Sequence, residues 1–299
     1  MKFIVTGGAG FIGSNLVETL VKKGHEVIVV DNLHTGNLQN LNGVSSSIKF
    51  VKANAGEVAT LKEDSIDGIF HLGVYSSSPM YKQDRSLMVK ALEDWTRILE
   101  FATKNNTKIV LVSSSSLYNG NPLPWKENMP IIPTDFYTET RYMMERIGKV
   151  YNELYDTKII VLRLFSVYGE KEEFKKEYAN LITQFIQKTL KGEPIKIYGD
   201  GTQSRDFIYV KDVVDALIKA MECGEDFEVF NVGKGEKYSM NEILEKINKV
   251  LKVEAKVEYV ENPIKNYVTH TLADTTKAEE KLGFKAKTSV EEGIRRIIP

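Results

Sequence analysis

The chain has 299 residues, 42% of them apolar, enough to bury a full core in one or two closely packed domains. A formal charge of −1 gives no electrostatic reason to expect nucleic acid or an anionic membrane as a partner, and no apolar run approaches the roughly 18 residues that a membrane span needs. The 4 histidines are scattered without ligand spacing, so no metal site is expected; the one cysteine, Cys223, excludes an intrachain disulfide and fits a reducing, cytoplasmic setting.

The opening MKFIVTGG predicts a strand that starts at once rather than a signal peptide. KFIVTG, EVIVVD, IKFVKA, GIFHLG, KIVLVSS and KIIVLRLF are unbroken apolar runs of the kind found in strands buried on both faces. Helical patterns lie between them near 11–23, 83–104 and 135–156. This alternation predicts an α/β fold with a parallel sheet covered on both sides. The segment 118–134 carries Pro122, Pro124, Pro130 and Pro133, and a connection of that length is functional or disordered. After about residue 166 the rhythm changes to helices near 177–191, 211–222, 239–252 and 289–298, with short strands IKIYG, EVFNVG and KVEYV. This half predicts a smaller α/β lobe over the strand ends of the first. Ligands of open α/β sheets bind at those carboxyl ends, so the cleft between the lobes is the expected site.

TGGAGFIGS follows the first strand and opens a helix, with Gly7, Gly10 and Gly13 spaced for a tight turn, a close approach to a pyrophosphate and close helix–sheet packing. A glycine triplet alone says little. Here Asp31 ends the second strand 18 residues after Gly13. A carboxylate there binds the adenosine ribose hydroxyls and repels a 2′-phosphate, which favours NAD over NADP. Three further features follow in order. SSSSLY ends the fifth strand, Tyr137 opens a helix with Arg141 one turn later on the same face, and IYGDGTQSRDFIYVKD lies in the second half.

Together these motifs resemble the extended short-chain dehydrogenase/reductase family, and within it the nucleotide-sugar epimerases and dehydratases. The resemblance runs over nearly the whole chain, from TGGAGFIGS and DNLHTG through LRLFSVYG and LKGEPIKIYGDGTQSRDFIYVKDVVDA to LADTTKAEEKLGF. It implies a Rossmann-type doubly wound sheet in an NAD-binding domain over 1–165, with about 206–231 returning to it, and a nucleotide-sugar lobe made mainly of 166–299. By the same resemblance, Gly7, Gly10, Phe11, Ile12, Gly13, Asp31, Asn32, Asn54, Leu72 and Ser113 join Tyr137 and Arg141 around NAD. Asn54 stands where a family aspartate contacts adenine. Ser114 matches the serine or threonine that hydrogen-bonds the sugar 4-oxygen, Tyr137 the tyrosine base, and Arg141 the lysine that binds the nicotinamide ribose. Ser166, Asn180, Tyr198, Arg205 and Thr271 match substrate positions, with Asn180 and Arg205 holding the nucleotide diphosphate.

Several positions depart from the family pattern. Arg141 replaces lysine, Ser166 replaces a usual asparagine, and Ile264 falls on an arginine of many relatives, leaving nearby Lys265 as the candidate for that phosphate contact. A cation ~5 Å from a phenol, at an effective dielectric of ~20, favours the phenolate by about 3 kcal/mol. Lysine and arginine bring the same charge, so the electrostatic part survives. The geometry changes, because guanidinium is broad and planar.

Dehydratases and pentose-forming decarboxylases resemble T-D/S-E-V-Y-G after the fifth strand. This chain has Ser114, Ser115 and Ser116 there and no carboxylate. The resemblance therefore favours a UDP-hexose 4-epimerase. A 4-keto reductase, a C5 epimerase, a uronic acid decarboxylase and a non-catalytic NAD and nucleotide-sugar binder stay open. Thr271 stands three residues before Asp274, where a small residue in relatives leaves room for a 2-N-acetyl group, so UDP-N-acetylglucosamine and UDP-N-acetylgalactosamine are expected substrates, alongside UDP-glucose and UDP-galactose. Met143, Ile147, Val150 and Leu154, widened by Met144, Tyr151 and Tyr155, form more apolar surface than one sheet face covers. Relatives pair this helix across a two-fold axis, which implies a homodimer.

Overall fold

Each apolar run of the first half becomes a strand in a computed structural model that describes residues 1–63, 65–264 and 267–298. They are β1 (Lys2–Thr6), β2 (Glu26–Val30), β3 (Ile48–Val51), β4 (Gly68–His71), β5 (Lys108–Ser114) and β6 (Ile159–Leu164). The second half adds β7 (Ser166–Tyr168), β8 (Ile195–Tyr198), β9 (Ser204–Arg205), β10 (Phe207–Tyr209), β11 (Phe227–Val232), β12 (Tyr238–Ser239) and β13 (Val257–Val260). The main sheet has 7 strands in the order β11-β6-β5-β4-β1-β2-β3, and every pairing in it is parallel. EVFNVG lies at its edge, running from Phe227 opposite Ile159 to Val232 opposite Leu164.

The helices are α1 (Phe11–Lys22), α2 (Ser78–Gln83), α3 (Ser86–Asn105), α4 (Phe136–Tyr155), α5 (Leu181–Lys191), α6 (Val210–Glu222), α7 (Met240–Leu251), α8 (Thr276–Leu282) and α9 (Val290–Ile297). Successive side chains of a strand point to opposite faces. Phe3 and Val5 therefore pack with Leu16 of α1 and Leu217 of α6, while Ile4 packs on the other face with Trp95 and Ile98 of α3 and Met144 of α4. A third core joins β8 and β10 to α5, α7 and α9 through Phe185, Ile197, Phe207, Ile243 and Ile294, and Phe11 of α1 reaches into it.

Three boundaries differ from expectation for local reasons. The helix expected over 83–104 starts later, at Ser86, because Asp84 accepts the Ser86 backbone N–H at 2.9 Å and turns the chain between α2 and α3. The helix expected from 177 starts at Leu181, because Asn180 caps it and 173–178 form a separate 3-10 turn. The short α8 was not anticipated; Gly283, with φ 59°, ends it. The proline-rich 118–134 segment is ordered. Trp125 is buried with Tyr118, Phe165 and Ala273, and its backbone N–H donates to the Leu272 carbonyl at 2.8 Å.

Candidate active site

The strand ends and the second lobe enclose two adjoining clefts. The first lies over the ends of β1, β2, β4 and β5 and is lined by Gly7, Gly10, Phe11, Ile12, Gly13, Asp31, Asn32, Leu72 and Arg141, all singled out in the sequence. The glycine spacing has a steric cause. A Cβ on Gly13 would lie 2.1 Å from the Gly7 carbonyl oxygen. Gly7 has φ 69°, and a Cβ on it would come within 2.7 Å of the Gly73 nitrogen. The cradle is therefore open backbone at the start of α1, which suits a pyrophosphate.

Asp31 is buried at the rim. Its carboxylate accepts the N–H groups of Ala9 (2.9 Å) and Leu33 (2.8 Å), which fixes its direction. Burial pushes this carboxyl above its ordinary range, against those hydrogen bonds.

Arg141 is 5% exposed. It donates from one terminal nitrogen to the Val112 carbonyl (2.7 Å) and from the other to the Tyr75 carbonyl (3.2 Å). Its Cζ lies 5.3 Å from the centre of the Tyr137 ring, while its Nε has no partner among the described residues. The planar fork thus grips two backbone carbonyls of the lining with separate nitrogens, a geometry that the single nitrogen of a lysine does not reproduce. Next to it, His71 is fully buried, stacked on Trp95 with ring centres 5.4 Å apart and hydrogen-bonded through Nδ1 to Thr6 Oγ1 at 2.7 Å. Burial, reinforced by the Arg141 charge, lowers its pKa to about 3.

The second cleft is lined by Ser114, Tyr137, Ser166, Arg205 and Thr271, all expected, together with Asp135, Ile264 and Tyr267. Ser76 lines both clefts and marks where they meet. The first turn of α4 thus places Tyr137 on one side of that junction and Arg141 on the other. Asp135 caps the helix, accepting the Thr138 N–H at 2.8 Å, and its carboxylate is tied up in that capping box. Ser114 Oγ accepts the Ser116 N–H at 3.2 Å, which leaves its own proton for an oxygen in the cleft.

Other expected residues are not brought to a lining. Ser113 Oγ donates to Glu145 Oε1 at 2.5 Å, turned away from the cleft. Asn54 accepts from Asn32 Nδ2 at 2.9 Å, while its neighbours Ala53 and Ala55 face the cavity. Asn180 spends its side chain capping α5 through the Ile182 N–H at 3.2 Å. Tyr198 stands edge-on behind Tyr267, with ring centres 6.1 Å apart. Lys265 lies outside the described residues. Thr271 does line the second cleft, and its Oγ1 accepts the Asp206 N–H at 2.9 Å, so this small side chain is held against the wall.

Motifs missed two supporting groups. Asp206, beside Arg205, accepts the N–H groups of Lys234, Gly235 and Ala273 at 2.7–3.0 Å and joins three loops under the cleft. Glu145, two turns after Tyr137, forms a buried ion pair with Arg163 at 2.6 Å. Arg163 also donates to Tyr118 Oη (2.6 Å), which bonds Asn231 Oδ1 (2.8 Å). This network fastens α4 to β5 and β6. Its only sequence signal was charge inside otherwise apolar patterns.

A doubly wound parallel sheet, a glycine cradle at a helix start, an acid ending the second strand and a serine–tyrosine–cation group at the cleft junction define an NAD-using enzyme of the dehydrogenase/reductase type. The match to known families narrows this. Residues 3–233 match the NAD dependent epimerase/dehydratase family, and the chain belongs to it. It is 35% identical to a putative UDP-glucose 4-epimerase of Methanocaldococcus jannaschii, covering 99% of this chain and 96% of that one. It is 31% identical to UDP-glucuronic acid decarboxylase 1 of Arabidopsis thaliana, over 100% of this chain and 69% of the plant protein. Among solved structures, UDP-N-acetylglucosamine 4-epimerase from Methanobrevibacter ruminantium M1, in complex with UDP-N-acetylmuramic acid, superposes with a TM-score of 0.93 at 32% identity, over 99% of this chain and 96% of that chain. The cofactor is NAD, and no helix among the described residues is long and apolar enough to cross a membrane.

Proposed function

We propose that the protein is a UDP-hexose 4-epimerase that accepts the 2-N-acetylated pair, UDP-N-acetylglucosamine and UDP-N-acetylgalactosamine, as well as UDP-glucose and UDP-galactose. One observation carries the reading. Ser114 and Tyr137 face one cleft with Arg141 just across the junction, and the carboxylate lining that cleft among the described residues, Asp135, is engaged in a helix cap. Inversion at C4 needs a base, a hydrogen-bond donor to the 4-oxygen and a hydride acceptor; elimination would need a further acid placed for it.

In this reading Tyr137 takes the proton of the 4-hydroxyl while Ser114 holds the oxygen by hydrogen bond. NAD, when bound, supplies the acceptor that takes the C4 hydride and returns it, so no external oxidant is consumed. Arg141, with its Cζ 5.3 Å from the centre of the Tyr137 ring and its fork donating to the Val112 and Tyr75 carbonyls, keeps a cation beside the phenol. Arg205, donating to the Ser204 and Thr269 carbonyls at 2.9 Å, with its Cζ 5.2 Å from the centre of the Tyr267 ring, presents a cation to the nucleotide diphosphate. The small Thr271 leaves room for the acetamido group. Exposed Val150, Leu154 and Tyr155 on α4 and Val89 on α3 support a homodimer through these helices.

Incubation with a panel of UDP-sugars, with products identified by NMR, tests the reading. Carbon dioxide released from UDP-glucuronic acid would establish instead the decarboxylase reading that the Arabidopsis relative favours. Inversion at C5, or net oxidation or reduction of the cofactor, would replace it with a C5 epimerase or a 4-keto reductase. Binding of both ligands without turnover would leave a sensor.

A further inference from the structure

Lys175 belongs to the segment between β7 and α5, outside the main sheet, yet it lines the cofactor cleft. Its ammonium lies 5.8 Å from the centre of the ring of Phe11, the first residue of α1. It therefore stands over the helix start whose free N–H groups favour a phosphate. On its other side the ammonium is 3.7 Å from Glu172 Oε1. Glu172 is 1% exposed, and its two oxygens also accept the Asn180 N–H (2.9 Å) and the Thr183 hydroxyl (2.6 Å).

The chain bends sharply just after Lys175. Lys176 has φ 51° and ψ −121°, a conformation that side chains other than glycine rarely adopt. A strained turn, anchored by a buried carboxylate, thus holds a cation above the mouth of the cleft.

The charges along the cleft give that cation a purpose. Asp31 marks the ribose end, and Arg141, engaged with the Val112 and Tyr75 carbonyls, marks the end at the junction. The glycine cradle between them carries no charge, and α1 has no charged side chain in its first turn. Among the described lining residues only Lys175 brings a positive charge to that middle section.

We propose that Lys175 is a cofactor-binding residue that pairs with the pyrophosphate of NAD across the cleft, with Glu172 holding it in place. The glycine fingerprint then supplies the backbone half of the phosphate site, and the strained turn before α5 supplies the ionic half.

Calorimetric titration of the full chain with ADP, adenosine and NAD separates this contact from mere packing, because adenosine lacks the phosphates. Lys175→Met is expected to weaken ADP and NAD binding by about tenfold while adenosine changes by less than about twofold. The same variant should show a shallower loss of ADP affinity with added salt. Lys175→Arg, which keeps the charge, should stay within about threefold of the native chain for all three. An unchanged ADP affinity in Lys175→Met would overturn the proposal, and so would an equal loss for ADP and adenosine. A native chain that failed to bind ADP or NAD at all would instead put the cofactor site itself in question.

Discussion

The two clefts of this protein are built differently. The cofactor cleft is made largely of backbone: a glycine cradle, strand ends and amide groups directed at Asp31. The second cleft, proposed for the sugar nucleotide, is made of side chains from many segments, among them Ser114, Tyr137, Arg205, Ile264 and Thr271. In the first, most expected residues line the cavity. In the second, Asn180 and Tyr198 stand behind the lining, and the apolar Ile264 is part of it. A backbone-built site tolerates few alternatives, because one added Cβ at Gly13 would meet the Gly7 carbonyl. A site built from side chains can be retuned one residue at a time.

The largest test of this contrast removes one atom at the junction. Tyr137→Phe is expected to lower kcat by about 10²–10⁴-fold, the usual contribution of a positioned acid–base group, and to leave NAD affinity within about twofold. Kinetics paired with cofactor titration check both halves. Loss of NAD binding in this variant would mean the two clefts are not separable.

A pH dependence tests the cofactor half. His71 is buried and neutral, with a folded pKa of about 3, below the value of about 6.5 for an unfolded histidine. The unfolded chain thus binds the extra proton first, and the stability tied to His71 is full above about pH 6.5 and lost as pH falls. By pH 5 this group alone should cost about 2 kcal/mol. Denaturant melts at pH 7 and pH 5 should show a drop of that order, and His71→Gln should lack most of it. Equal slopes in both proteins would remove His71 from the account.

Arg141 sharpens the comparison from the other side. Arg141→Met should lose at least about tenfold in kcat, or about 1.4 kcal/mol in the barrier, whereas Arg141→Lys should retain measurable activity. Lysine carries the charge on a single nitrogen rather than on a two-nitrogen fork, so the residual defect of Arg141→Lys measures the fork. Full activity in Arg141→Met would take the arginine out of the mechanism.

The smallest expected effect concerns the sugar. Thr271→Tyr should shift the kcat/KM ratio against the N-acetylated pair by about fivefold, close to 1 kcal/mol, the lower end of overpacking costs. The same substitution removes the bond to the Asp206 amide, so a melting curve must accompany the kinetics. An unchanged ratio in a folded variant would show that Thr271 is not the gate.

What the sequence conveyed follows the same division. Strand periodicity, the glycine spacing and the acid after β2 reflect local rules, and they predicted the parallel sheet, the glycine cradle and Asp31, whereas Phe11, Ile12, Asn32, Leu72 and Arg141 were expected from the family resemblance. The partners of Ser113 and Asn180 depend on contacts far along the chain or on a helix cap, so the spacing around them held no sign that one turns toward Glu145 and the other toward Ile182. Lys175 was hidden among the charges of EKEEFKKE, where only the turn at Lys176 reveals which lysine faces the cleft.

The central claim is a hydride that leaves C4 and returns to C4 on the opposite face. A UDP-sugar carrying deuterium at C4, followed by NMR of the product, tests it most directly. The account predicts an inverted sugar that keeps its deuterium at C4, with no net NADH formed. Inversion with the label washed out into water, or a label retained with C4 never inverted, would contradict it.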